Sequence, residues 1–151
     1  MRVVQRKEQQ AIGGIIETYC HDGRIGVLAE ILCETDFVVR NEEFKQLAHD
    51  IAMQIVAMNP SFITSDSIPA EEIEKEKASY LKEAIAQGKP EKIAEKIADG
   101  KIQKYFSEVC LLNQAFIKDS DKTIQDLINE KIAKIGEKIV VSRFARFELG
   151  E

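Results

Sequence analysis

The segment Gly26-Val27-Leu28-Ala29-Glu30-Ile31-Leu32-Cys33 constrains this chain more than any other, because it is apolar almost without a break. A strand with one face in water alternates apolar and polar residues, so a run like this predicts a strand in the middle of a sheet, with a helical layer against it. A second strand-like run, Ile15 to Cys20, stands just ahead. Between the two lies His21-Asp22-Gly23-Arg24, polar and with Gly where a hairpin must turn, so an antiparallel pair is predicted. Gly13-Gly14 lacks the later glycines and the Lys-Ser/Thr of a phosphate-cradling loop, and reads as a bend.

Asn41, followed by Glu42 and Glu43, has the form of a helix N-cap with carboxylates at the positive end of the dipole. Phe44, Leu47, Ala48, Ile51, Ala52 and Ile55 then recur at spacings of three and four, one apolar stripe for packing on the sheet. Pro60 closes that helix. From Pro69 to Gly88, Ile73, Tyr80, Leu81, Ala84 and Ile85 share a side opposite a dense Glu/Lys face, which reads as solvated rather than as a binding patch. Gly88-Lys89-Pro90 ends that helix and starts another. Gly100 marks a further turn before helical character resumes from Lys101 to Val109. The middle third, residues 70–110, is therefore a helical insertion or arm.

Leu111 to Ile117 reads as a short strand or extended connection, and Asp119-Ser120-Asp121 as a turn. Thr123 and Asp126 match a capping box with a shorter acid in the usual Glu place. The helix they open carries Ile124, Leu127, Ile128, Ile132 and Ile135 and stops at Gly136. The β-rich end, Lys138 to Leu149, closes the sheet. The fold class is α+β: an antiparallel sheet packed against helices, with a helical arm between the N-terminal hairpin and the C-terminal strand.

A length of 151 residues with 44% hydrophobic and 31% charged content fits one globular domain with a core of its own. A net charge of -5 argues against an electrostatic grip on nucleic acid, which needs clustered Lys and Arg in excess. No apolar stretch approaches the roughly 20 residues that span a bilayer, and the first residues lack the apolar core of a secretion signal, so the expectation is a soluble, intracellular chain. Cys20, Cys33 and Cys110 are scattered, without metal or redox spacing, and are expected as small buried side chains. No nucleophile stands with a base and an orienter. A Cys33/His49 hydrolase lacks its third residue.

What remains is Cys33-Glu34-Thr35-Asp36-Phe37-Val38-Val39-Arg40-Asn41, where a strand stops and a helix begins. A loop between two rigid elements can present a charge and an apolar wedge to a partner without disturbing the core. Asp36 and Phe37 are the candidates for that role. Thr35 fixes the loop, Val38 and Val39 anchor it, and Asn41 starts the supporting helix.

Arg24 to Leu28 together with Cys33 to Asn41 resembles the signature region of the elongation factor Ts family, the guanine nucleotide exchange factors of translation elongation factor Tu. Other segments agree in family order: Asp50 to Ala57, Gly88-Lys89-Pro90 with Ile93 to Ile97, and Ser142 to Gly150. The family's N-terminal helical module has no counterpart here, so residues 1–151 are expected to be a single core and dimerisation domain, with residues 1–11 a linker or helix remnant. Gln54 stands where other members often carry histidine.

The resemblance implies Thr35, Asp36, Phe37, Val38, Asn41, Met53 and Gln54 as partner-binding residues, with Asp36 and Phe37 entering Tu beside the helices that support its magnesium and phosphate site. It implies no cofactor or metal of the chain's own, and no covalent chemistry. The implied partners are elongation factor Tu, GDP-bound and nucleotide-free, and a second copy of the chain, with no nucleic acid or membrane. A cytoplasmic location, or an organelle matrix, follows. The alternative is a dimerising scaffold with little exchange activity.

Overall fold

The computed structural model describes residues 2–5 and 13–151. In chain order these form β1 (Arg2–Gln5), β2 (Gly13–His21), β3 (Ile25–Cys33), α1 (Asp36–Val39), α2 (Glu42–Met58), α3 (Ala70–Ala86), α4 (Glu91–Val109), β4 (Ala115–Phe116), β5 (Asp119–Thr123), α5 (Ile124–Ile135) and β6 (Val140–Glu148). The main sheet has the order β1-β6-β3-β2 and is antiparallel throughout. β4 and β5 make a separate small hairpin. The α+β expectation holds.

The β2–β3 hairpin follows from its turn. Asp22 and Gly23 take φ of 52° and 67°, and the Arg24 N–H donates to the His21 carbonyl at 3.0 Å. An Asp-Gly pair tolerates two successive positive φ values, and that twist matches the flanking strands. β3 is central, as its apolar run predicts, and its Val27, Ala29, Ile31 and Cys33 are buried on one face. Against that face lies α2, whose Phe44, Leu47, Ala48, Ile51, Ala52 and Ile55 are fully buried. Asn41 caps α2 by accepting from the Glu43 N–H at 2.8 Å. At the other end Asn59 takes a left-handed φ of 45° before Pro60, and the buried Arg146 of β6 donates to the Val56 carbonyl. A cation at a helix C-terminus complements its dipole.

The opposite face of the sheet differs from expectation. Leu28 is half-exposed there, beside the equally exposed Ile16 and Phe147, so the unbroken apolar run of β3 is not covered on both sides. Gly13 and Gly14 are not a bend but the first residues of β2, paired with Cys33 and Leu32. Residues 2–5, expected as linker or helix remnant, form β1 alongside β6; the rest of that expectation, to residue 11, lies outside the described residues.

Gly100 does not turn the chain either. It sits inside α4, which runs unbroken from Glu91 to Val109 because a single glycine costs a helix only about 1 kcal/mol. α3 and α4 form an antiparallel pair whose seam holds Ala84, Ala94, Ala98 and Ile102, small enough at three positions to let the helices close up. Residues 111–113 coil into a short 3-10 turn, and Asp119–Asp121 belongs to a strand rather than a turn. Thr123 and Asp126 make the capping box, and Gly136, with φ of 83°, stops α5.

Candidate partner-binding site

The site grows out of the end of β3. Once Cys33 has entered the core, Glu34 and Thr35 leave the sheet, and the single turn of α1 carries Asp36 and Phe37 outward. Val38 is buried and pins that turn to the core. Phe37 is 86% exposed, the most exposed large apolar side chain among the described residues. That is unusual for a ring whose burial stabilises a protein by about 1.5–3 kcal/mol. Among the described residues nothing hydrogen-bonds or ion-pairs with the Asp36 carboxylate.

Thr35 is the N-cap of α1, but its hydroxyl does not cap. It donates instead to Glu137 Oε2 at 2.6 Å, while the Thr35 N–H donates to Oε1 of the same carboxylate at 3.0 Å. The exchange is reciprocal, since the Lys138 N–H donates to Glu34 Oε2 at 3.3 Å. On its other side Thr35 backs onto Gly13, where an added Cβ would lie 2.8 Å from the Thr35 carbonyl carbon and oxygen. Real Cβ atoms do not approach so closely, so only glycine fits there. The Cys33 thiol donates to the Thr35 carbonyl at 3.2 Å, and burial, then the Glu137 carboxylate, push its pKa up. A raised thiol is a poor nucleophile, and His49 is edge-on to Tyr19 with ring centroids 5.7 Å apart, so the hydrolase reading has no support.

The other residues expected at a partner surface divide. Thr35, Asp36 and Phe37 stand together and exposed, with Asn41 exposed at the start of α2, where its side chain is engaged as the cap. Val38 and Gln54 have no surface to offer. Gln54 is fully buried, donating to Gln114 Oε1 and the Ala115 carbonyl and accepting from the Ile117 N–H at 2.9 Å. Its polarity serves the β4–β5 hairpin, so its expected role as a contact gives way to a structural one. Met53 is half-buried on α2. Sequence reasoning missed Glu137 and Glu34, and it noticed Gly13 for the wrong reason. Nothing local marks a carboxylate whose partner lies 102 positions away.

Among the described residues no three His, Cys, Asp or Glu side chains are grouped to hold a metal, and no helix is long and apolar enough to cross a membrane. What the site does offer is an apolar ring and a carboxylate on a braced turn.

The family model described as elongation factor TS matches residues 1–151. Among curated relatives, the elongation factor Ts of Desulforamulus reducens is 58% identical over 142 residues, covering 93% of this chain and 65% of that protein. The elongation factor Ts of Syntrophomonas wolfei is 50% identical over 151 residues, 99% of this chain and 71% of the relative. That of Moorella thermoacetica is 51% identical over 148 residues, with 97% and 73% covered. The chain thus spans 65% to 73% of the length of these relatives.

Proposed function

The chain belongs to the elongation factor Ts family, and from that premise we propose that it is a guanine nucleotide exchange factor for translation elongation factor Tu, with Phe37 as its wedge. The observation that carries this reading is the exposure of Phe37 on a turn anchored by the buried Val38. A ring pushed between packed helices must move them, because a protein interior has no spare volume. Helices that shift beneath a nucleotide site carry its magnesium ligands and phosphate-binding amides with them. The charge and hydrogen bonds that hold the phosphates are then lost. No covalent step is part of this reading.

The energetics are of the right size. An acceleration of 10³ to 10⁵ needs roughly 4–7 kcal/mol of coupling between the two binding events, and by linkage bound nucleotide weakens the factor's binding by the same factor. A single aromatic anchor typically supplies about 2–4 kcal/mol of that. Phe37→Ala should therefore slow stimulated release of GDP from Tu by about 30- to 1000-fold. Its thermal unfolding should stay nearly unchanged, since so exposed a ring contributes little to the fold. Wild-type release by the variant would sink the wedge, and a large fall in melting temperature would mean that the ring packs in the core.

The exposed apolar face of the sheet favours a second reading, a dimerising scaffold. Ile16, Leu28 and Phe147 lie on that face around Gly26 and Ala145. A second copy set against it would bury all three. Sedimentation tests this directly: a dimer that Phe147→Ser dissociates supports it, and a monomeric wild type refutes it.

A further inference from the structure

We propose that Glu137 is the positioning residue of the wedge, holding Thr35 so that Phe37 points at the partner. This deepens the exchange reading above and rests on it. Phe37 is 86% exposed and has almost no packing of its own, so its direction comes from the backbone that carries it. That backbone leaves the sheet at Thr35.

A threonine at an N-cap ordinarily turns its oxygen to the first N–H groups of its own helix. Thr35 forgoes this, and both oxygens of the Glu137 carboxylate are given to it, one to its N–H and one to its hydroxyl. Two charge-assisted bonds to one residue fix its peptide plane and its side-chain rotamer together. Either bond alone would leave a rotation free.

Glu137 is itself held in place. The α5 helix ends at Gly136, whose N–H donates to the Ile132 carbonyl at 2.8 Å, and the Lys138 N–H is taken by Glu34. The carboxylate is thus presented from a closed corner, with the Glu34–Thr35 and Glu137–Lys138 pairs tied to each other. Gly13 closes the opposite side of Thr35 at backbone contact. Between the carboxylate and that strand, Thr35 has one place to be. The C-terminal third of the chain in this way aims a side chain in the first third.

The test compares stimulated release of fluorescent GDP from Tu for the wild type, Glu137→Ala, Thr35→Val, Thr35→Ser, Phe37→Ala and the Glu137→Ala/Phe37→Ala double variant, with thermal unfolding measured on each. Glu137→Ala and Thr35→Val should each lose about tenfold in release, while Thr35→Ser, which keeps the hydroxyl, should stay within about twofold of the wild type. The double variant should be no slower than Phe37→Ala alone, because a clamp that acts through the ring has nothing left to aim. A merely structural role would not show that dependence on Phe37. Wild-type release by Glu137→Ala, set against loss in Phe37→Ala, overturns the clamp and leaves the wedge standing. Additive losses in the double variant also overturn it. Wild-type release by Phe37→Ala instead removes the wedge itself. Should Glu137→Ala not fold, Glu137→Gln, which keeps the shape but gives up the charge on both bonds, takes its place in the same cycle with Phe37→Ala.

Discussion

The wedge loop and the α3–α4 arm both stand out into solvent, and they are held in opposite ways. The loop is fixed by residues far away in sequence, Gly13 behind it and Glu137 beside it, so its geometry is a property of the assembled sheet. Along its length the arm is fixed by itself. Its seam of Ala84, Ala94, Ala98 and Ile102 is laced by Tyr105 to Glu72 at 3.0 Å, Lys101 to Glu83 at 3.3 Å and Lys77 to Asp99 at 2.9 Å, all within the same two helices. At its base the Val109 carbonyl accepts from the Ser61 and Phe62 N–H groups, and among the described residues only there, through the buried Ile63 and Leu111, does the arm join the main core. A side chain that must enter a partner in one orientation belongs on the first kind of support. An element that only has to keep its shape can rely on the second.

Two glycines break this comparison most sharply. Gly13→Val drives a branched side chain into the Thr35 backbone, which cannot swing aside as a flexible side chain would. The expected loss is about 1–3 kcal/mol in thermal or denaturant unfolding, with GDP release lowered as well, because the displaced residue is the one that aims Phe37. Gly100→Ala is the counterpart in the arm, where a Cβ would meet nothing within 4 Å. An exposed helix interior gains about 0.5–1 kcal/mol from that change, to be read as slower amide exchange in α4. Release should not change. A Gly100→Ala variant with altered release would show that the arm takes part in exchange and does more than keep its own shape.

The same two glycines show what the sequence could convey. Both look like chain breaks when read locally, and neither is one. Gly100 lies in a helix because the i, i+3, i+4 contacts on either side outweigh a modest propensity cost. Gly13 lies in a strand because it pairs with Cys33, and it is a glycine because of the Thr35 backbone 22 positions downstream, neither of which a window of neighbouring residues contains. Features set by adjacent residues were legible: the Asp22-Gly23 hairpin, the Asn41 cap, the apolar stripe of α2 and the capping box at Thr123. That Phe37 stands outside the core was legible because its neighbours mark a strand-to-helix junction. The clamp that aims it was not, and the burial of Gln54 was hidden for the same reason: its three partners, the Gln114 side chain, the Ala115 carbonyl and the Ile117 N–H, are 60 to 63 positions away.

The smallest expected effects separate the two regions by pH. Beside the loop, β3 is tied to β6 through Glu30, whose pKa is lowered chiefly by the Ser142 hydroxyl at 2.6 Å, with Arg143 adding to it against the cost of burial. A carboxyl lowered from 4.5 stabilises the fold fully above that value and loses its contribution as pH falls through the lower folded one. The gap in melting temperature between the wild type and Glu30→Gln should therefore be widest above the ordinary carboxylate range and close on acidification. In the arm, Tyr105 is pushed up to about 12, by burial first and then by the Glu72 carboxylate that accepts its hydrogen bond. For a group raised from 10.0 the sign reverses: its contribution is whole below that value and is lost as pH climbs through about 12. Ultraviolet titration of the tyrosines should show a last ionisation near 12 that disappears in Tyr105→Phe. Acid should thus loosen the strand that carries the wedge, and alkali the seam of the arm. If Tyr105→Phe removed a step near 10.0 instead, the phenol would be free in solution and the base of the arm less closely joined than its hydrogen bond to Glu72 implies.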